Sequence, residues 1–199
     1  LLKHEDFSLF TKTCSKLDLE AIYVADSYGA LLPEDVRDIF SSHSISGIHT
    51  HDNMGKALEN SIAAINNSVQ WIDSTVTGMG RGPGNTDLEE LLISLSPKYR
   101  KTINIIPLIN HSEKWFKKLK DKYKWGKNRF YFLAGKYKIH PSYIQEMMSD
   151  ARYSTSEIIG AIDYLKADES RLYNSQKLLK ARAFYKGEPR GNDIPKNKI

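Results

Sequence analysis

An α/β fold followed by a helical appendix is what this sequence predicts, on three observations. Over the first hundred residues, short apolar runs alternate with amphipathic stretches. The polar ends of those runs, at Asp26, His51 and Thr77, recur about every 25 residues, the pace of successive β/α units in a parallel sheet. From about Ser96 the rhythm stops and the pattern becomes mainly helical. Units of this kind build either an open doubly wound sheet or the second half of a (β/α)8 barrel, where the C-terminal rim carries the chemistry. The expected division is residues 1–98 for the sheet-containing portion, 99–168 for a small helical domain and 169–199 for a polar, partly disordered tail.

Each element has a local reason. Glu5–Leu17 reads as a helix with Phe7, Phe10 and Leu17 on one face. Ala21–Ala25 is a short apolar strand ending in Asp26-Ser27. Pro33-Glu34-Asp35-Val36 opens a helix, with proline in the first turn and acids at the positive end of the dipole. Ser46–His51 is the next strand. Asn53–Asn66 follows as a helix with Leu58, Ile62 and Ile65 on one side, and Trp71–Val76 is the third strand. Thr86-Asp87-Leu88-Glu89 has the capping-box pattern for a helix to about Leu95. Further on, Glu113–Tyr123, Phe130–Tyr137 and Ser142–Met148 read as helices, and Ser154-Thr155-Ser156-Glu157 caps another running to about Lys166. Gly, Pro and Lys accumulate after Lys186, which predicts a frayed end.

Composition narrows the function classes. The 199 residues are 40% hydrophobic and 27% charged, the balance of a globular protein with a sizeable core. No apolar run reaches the roughly 20 residues of a membrane span, and no basic-then-apolar start reads as a signal peptide. Cys14 is the only cysteine, which excludes an intramolecular disulfide and fits a reducing cytoplasm; it reads as a small apolar filler. The chain opens within an apolar phrase, Leu1-Leu2, which predicts part of a longer protein. The first hundred residues hold 8 Lys+Arg against 14 Asp+Glu, the remainder 21 against 10. Much of the basic excess, Lys114, Lys117, Lys118, Lys120, Lys122 and Lys124, falls on one helix-like stretch and reads as a solvated face, so nucleic acid is not the expected partner.

Three segments carry chemistry. His49 and His51 lie at i and i+2 of a strand, so both imidazoles point to one face and can present nitrogens to one divalent cation. Asp26-Ser27 adds a carboxylate and a hydroxyl at a neighbouring strand end. Gly78-Met79-Gly80-Arg81-Gly82-Pro83-Gly84-Asn85 is a loop whose glycines permit close backbone approach, with Arg81 placed to pair with a substrate carboxylate. His4, His43, His111 and His140 read as structural, His140 before Pro141 as a helix cap.

Taken together, Val24-Ala25-Asp26-Ser27-Tyr28-Gly29, Gly47-Ile48-His49-Thr50-His51-Asp52-Asn53 and Asp73–Asn85 resemble the metal-dependent aldolase and lyase superfamily. This is the HMG-CoA lyase-like group with a pyruvate carboxyltransferase domain, and it includes isopropylmalate synthase. The resemblance covers roughly residues 1–95 and is nearest to the 4-hydroxy-2-oxovalerate aldolase branch, because a helical domain follows. Leu133-Ala134-Gly135-Lys136-Tyr137 looks like part of that branch's C-terminal domain.

The resemblance implies the C-terminal half of a (β/α)8 TIM barrel holding a divalent metal, Mn²⁺ first, with Mg²⁺ or Zn²⁺ also compatible. It makes His49 and His51 ligands, places Asn85 near or on the metal and Ser27 near the substrate, and makes Tyr137 the counterpart of a tyrosine that faces the active site. The implied substrates are a 2-oxo acid and an aldehyde, with a carbon–carbon bond made or broken beside a pyruvate enolate. A partner dehydrogenase contacting the helical domain and a cytoplasmic homo-oligomer are also implied. The family's Asp-x-Thr-Leu-Arg-Asp motif, which supplies a third ligand and a catalytic arginine, is absent from these residues. The expectation is therefore an enzyme whose site this chain completes only in part, inactive by itself. Two rival readings are a Claisen condensation of an acyl-CoA with a 2-oxo acid, and a docking module without activity.

Overall fold

The computed structural model describes residues 4–95, 103–167 and 170–186. Its first half is α/β. Three parallel strands, β1 (Tyr23–Asp26), β2 (Gly47–Thr50) and β3 (Trp71–Ile72), lie in the order β1-β2-β3. Parallel neighbours need crossovers, and helices α2 (Pro33–Ser42) and α3 (Ala57–Asn66) supply them; α1 (His4–Cys14) precedes β1 and α4 (Leu88–Ser94) follows β3.

The register places Val24, Ile48 and Ile72 side by side. That row packs under Leu31, Val36, Ala63 and Ala64, with Phe7 and Phe40 at its margin. The opposite face carries Tyr23, Gly47 and Trp71 in one row, then Ala25 and His49. The Tyr23 ring lies across Gly47, where a Cβ would fall 2.6 Å from Tyr23 Cζ and push the ring aside. Tyr23 and Trp71 stay 38% and 45% exposed, and the outer edge of β1 has no strand partner among the described residues.

Several elements are shorter than their sequence patterns. The strand expected over Trp71–Val76 ends at Ile72, because Val76–Gly78 curls into a 3₁₀ turn with Thr77 in the left-handed region. The helix expected from Asn53 starts at Ala57: Asp52 and Asn53 belong to the rim loop, and Asp52 Oδ1 accepts the Ala57 N–H. The cap of α4 is Asp87, whose Oδ1 accepts from Glu90 N; Thr86 is instead fully buried in a hydroxyl cluster with Thr50 and Ser61. The second capping box forms as expected, with Ser154 N donating to Glu157 Oε2 and Glu157 N to Ser154 Oγ.

The second half is helical: α5 (Ile106–His111), a π turn (Ser112–Phe116), α6 (Lys117–Tyr123), α7 (Arg129–Lys136), α8 (Pro141–Ser149), α9 (Thr155–Ala167) and α10 (Ser175–Lys186). Its core gathers Ile139, Tyr143, Ile144, Met147, Ile162 and Leu165, all essentially sealed from solvent. Within the stretch expected as a polar, partly disordered tail, Ser175–Lys186 is a helix, with Leu178 and Ala181 buried against the second core. The rest of that expectation, residues 187–199, lies outside the described residues. Among the described residues no helix is long and apolar enough to cross a membrane.

Gly135 locks the two halves together. A Cβ there would stand 2.9 Å from Met54 Cγ, 3.0 Å from Asn53 Cβ and 3.2 Å from Gly29 O, so α7 sits directly on two rim loops. Gly135→Val should therefore cost about 1–3 kcal/mol of stability by overpacking, read as a lowered urea midpoint.

Candidate metal centre

Asp26 organises the rim. It ends β1 almost fully buried, and its carboxylate accepts the N–H groups of Ala30 (2.9 Å) and Leu31 (3.1 Å). Burial pushes its pKa up, while those backbone donors oppose the shift. Its carboxylate is thus spent on folding the loop after β1. Its carbonyl oxygen is free to accept from Gly29 N (3.0 Å) and from His51 Nδ1 (2.9 Å).

His49 and His51 come together as the strand spacing requires. Their ring centroids are 4.8 Å apart at an interplanar angle of 87°. A carbonyl only accepts, so His51 carries its proton on Nδ1 and leaves the Nε2 lone pair free. His49 Nδ1 stands 3.0 Å from Asp73 Oδ2, and an ionised carboxylate fixes the same tautomer there. This is the arrangement of metal-binding histidines: one nitrogen held by an outer partner, the other open. Burial, then the neighbouring His49 and Arg81 charges, lower the His51 pKa against the raising effect of the Asp26 carbonyl, which favours the neutral imidazole that a cation needs.

Behind the pair, Thr50 turns inward and shares its hydroxyl with Ser61 (3.3 Å) and, more closely, Thr86, while Thr86 donates to Ala57 O (3.1 Å). This dry polar cluster ties β2 to α3 and to the segment before α4. In front, Asn85 pairs with His51 in an antiparallel bridge, and Asp52 N donates to Gly84 O (2.9 Å). Asn85 Nδ2 donates to Met79 O (3.2 Å).

The other expected residues are more scattered. Ser27 is exposed just past β1, on the wall of a cavity of about 680 Å³ that also touches Phe7, Tyr23 and His43. Arg81 is exposed and donates to Ser142 Oγ (3.2 Å) at the start of α8, its charge still reaching His51 and Tyr131. Tyr137 is the C-cap of α7, with Lys166 Nζ 5.2 Å above its ring. His140 caps α8, its Nδ1 accepting from Ser142 N (3.3 Å).

Sequence reasoning gave no role to Asp73, Tyr23 or Tyr131. Asp73 shares the side-chain parity of Trp71 in the third strand, and that parity was the available signal. It also hydrogen-bonds Tyr23, whose phenol is raised by desolvation and then by this carboxylate. Tyr131 had no sequence signal; it is buried against Gly82, where a Cβ would meet its hydroxyl at 3.1 Å.

A family model described as HMGL-like matches residues 3–112. Over 77 residues the chain is 43% identical to a 4-hydroxy-2-oxovalerate aldolase of Azotobacter vinelandii; the match takes in 35% of this chain and 22% of that protein, so the chain spans well under a third of its length. Among solved structures, the N-terminal domain of a Bacteroides vulgatus protein assigned as an aldolase is 30% identical, with a TM-score of 0.65 over 79% of this chain and 52% of that one. The carboxyl transferase domain of Rhizobium etli pyruvate carboxylase shares the fold at 16% identity, with a TM-score of 0.66 over 93% of this chain and 35% of that one.

In an NMR titration His51 should lose its proton below the 6.5 of a free imidazole. With its folded pKa lowered, the unfolded chain binds the proton more readily, so stability should fall as the pH drops below 6.5 and be fully present above it. A midpoint at or above 6.5 would contradict the geometry.

Proposed function

This chain belongs to the HMGL-like family, and on that premise we propose that it forms the C-terminal half of a (β/α)8 barrel, with a helical domain over residues 99–168. The enzyme we assign is a divalent-metal-dependent aldolase of the 4-hydroxy-2-oxovalerate type, making or cleaving a carbon–carbon bond beside a 2-oxo acid. Relatives of that name support the assignment. The observation that carries it is the imidazole pair with both Nδ1 positions held and both Nε2 positions open.

The donor set fits a divalent cation. Two neutral imidazoles suit Zn²⁺, and completed by oxygen ligands the set is compatible with Mn²⁺, our first assignment, or Mg²⁺; Asn85 pairs with His51 beside them. Among the described residues no three His, Cys, Asp or Glu side chains are grouped so that they could hold a metal ion by themselves, so we assign the remaining ligand, a carboxylate, to another part of the whole enzyme. When bound, the cation supplies Lewis-acid polarisation of the substrate's keto group. Asp26 O and Asp73 hold the two imidazoles in register. Arg81 is assigned to the substrate carboxylate, exchanging its bond to Ser142 for a charge-assisted one. Ser27 is assigned to substrate binding at the rim and Tyr137 to proton transfer from the helical domain.

We also assign the helical half to docking of a dehydrogenase, in a cytoplasmic homo-oligomer. Support for docking comes from Trp115, Leu119 and Tyr123, which recur every fourth residue, are 52%, 37% and 65% exposed, and are flanked by Lys114, Lys118 and Lys122.

In the whole enzyme, pyruvate release from a 4-hydroxy-2-oxo acid should depend on both histidines, and His49→Ala or His51→Ala should abolish it. Consumption of acetyl-CoA without aldol cleavage would overturn the assignment in favour of a Claisen enzyme. Asp73→Asn should weaken cation affinity by about 10–100-fold. Isothermal titration of the 199-residue chain with Mn²⁺ should show weak binding, and tight 1:1 binding would refute the incomplete-site reading.

A further inference from the structure

Thr77 is β-branched yet left-handed, with φ 54°, a conformation that persists only where its surroundings impose it. Three hydrogen bonds do so. Its N–H donates to Glu89 Oε2 (2.9 Å), on α4. Its carbonyl accepts from two side chains of the helical half, Trp125 Nε1 (3.0 Å) and Lys120 Nζ (3.2 Å). Trp125 is only 7% exposed, so this indole bond is shielded from water. The far end of the same loop is gripped as well. Gly126 N donates to Gly82 O (2.9 Å), and Gly84 lies against the indole, where a Cβ would be 3.6 Å from Trp125 Cδ1. Gly84 also approaches Gly78 so closely that a Cβ would fall on Gly78 O; Asn85 N donates to that same oxygen (3.1 Å). The chain of contacts therefore runs from Trp125 and Lys120 through Thr77, Gly78 and Gly84 to Asn85, and across the bridge to His51.

We infer that Trp125 and Lys120 are positioning residues, which hold the rim loop Thr77–Asn85, and through it Asn85 and His51, from the helical half of the chain. The effect on cation affinity rests on the metal-aldolase reading; the grip on the loop does not. The indole N–H is the principal donor, since it is buried and has one rotamer-fixed direction, whereas Lys120 is exposed and adds a second, mobile bond.

Amide hydrogen exchange by NMR on the 199-residue chain tests the grip without any metal. In Trp125→Phe, which keeps a ring but loses the donor, the Gly78, Asn85 and Asp52 amides should exchange about tenfold faster, the change expected for one lost hydrogen bond. The Ile158 amide in α9, bonded to Ser154 O, should be unchanged. Lys120→Met should accelerate the same three amides more weakly, and Lys120→Arg, which keeps a donor, should restore them. Rim amides that exchange as in the wild type, or Ile158 accelerated equally, would overturn the inference. Mn²⁺ binding to the same samples, followed by electron paramagnetic resonance, should weaken about tenfold in Trp125→Phe. A loosened loop with unchanged Mn²⁺ affinity would overturn the link to the site. A wild-type chain that binds no Mn²⁺ counts against the metal reading alone, and the exchange data then decide the grip.

Discussion

The carbonyl oxygen of Asp26 accepting from His51 Nδ1 is the contact on which the rest of this rim depends. It joins the end of β1 to the end of β2, fixes the imidazole tautomer, and leaves the other nitrogen without a partner among the described residues. The oxygen is available because the same residue's carboxylate, turned the other way, folds the loop through Ala30 and Leu31. One residue thus sets both the shape of a loop and the chemistry of its neighbour. The arrangement needs parallel strands in register, which places Asp26 beside Thr50 and so within reach of the residue after it.

The sheet face above this contact is a connected polar–aromatic surface rather than a collection of side chains. Tyr23 crosses Gly47 toward Asp73, and Asp73 reaches His49, so the three strands are stitched across their exposed side. Below, the hydroxyls of Thr50, Ser61 and Thr86 tie β2 to α3 and to the segment before α4 in a dry setting. His49 and His51 therefore project from a strand anchored on both faces, which is what rigid presentation of two ligands demands.

Much of this was legible from the residues. Alternation of apolar runs and amphipathic stretches located three strands and their crossover helices, and i, i+2 parity put the imidazoles together. What escaped depends on non-local geometry. The third strand stops early because Thr77 is pulled into the left-handed region by partners in α4 and 43 and 48 residues downstream, which no local window contains. At Asp26 the sequence shows a carboxylate at a strand end but not the direction it faces. The helix over Ser175–Lys186 escapes a reading dominated by the Gly, Pro and Lys that accumulate after Lys186, although Leu178 and Ala181 bury against the second core. Asp87 rather than Thr86 caps α4 for a related reason: a buried cluster claimed the threonine hydroxyl first.

The close pairing of His51 with Asn85, and of Asp52 with Gly84, is made by backbone groups. Such main-chain contacts depend on chain length as well as on the glycines that let the two sides of the loop approach. Around this rim Gly78, Gly82 and Gly84 are left-handed and Gly84 has no room for a Cβ, so side-chain identity is constrained there; a single insertion or deletion between residues 77 and 85 would in addition slide every pairing by one residue. The length of this loop is therefore held as firmly as its glycines.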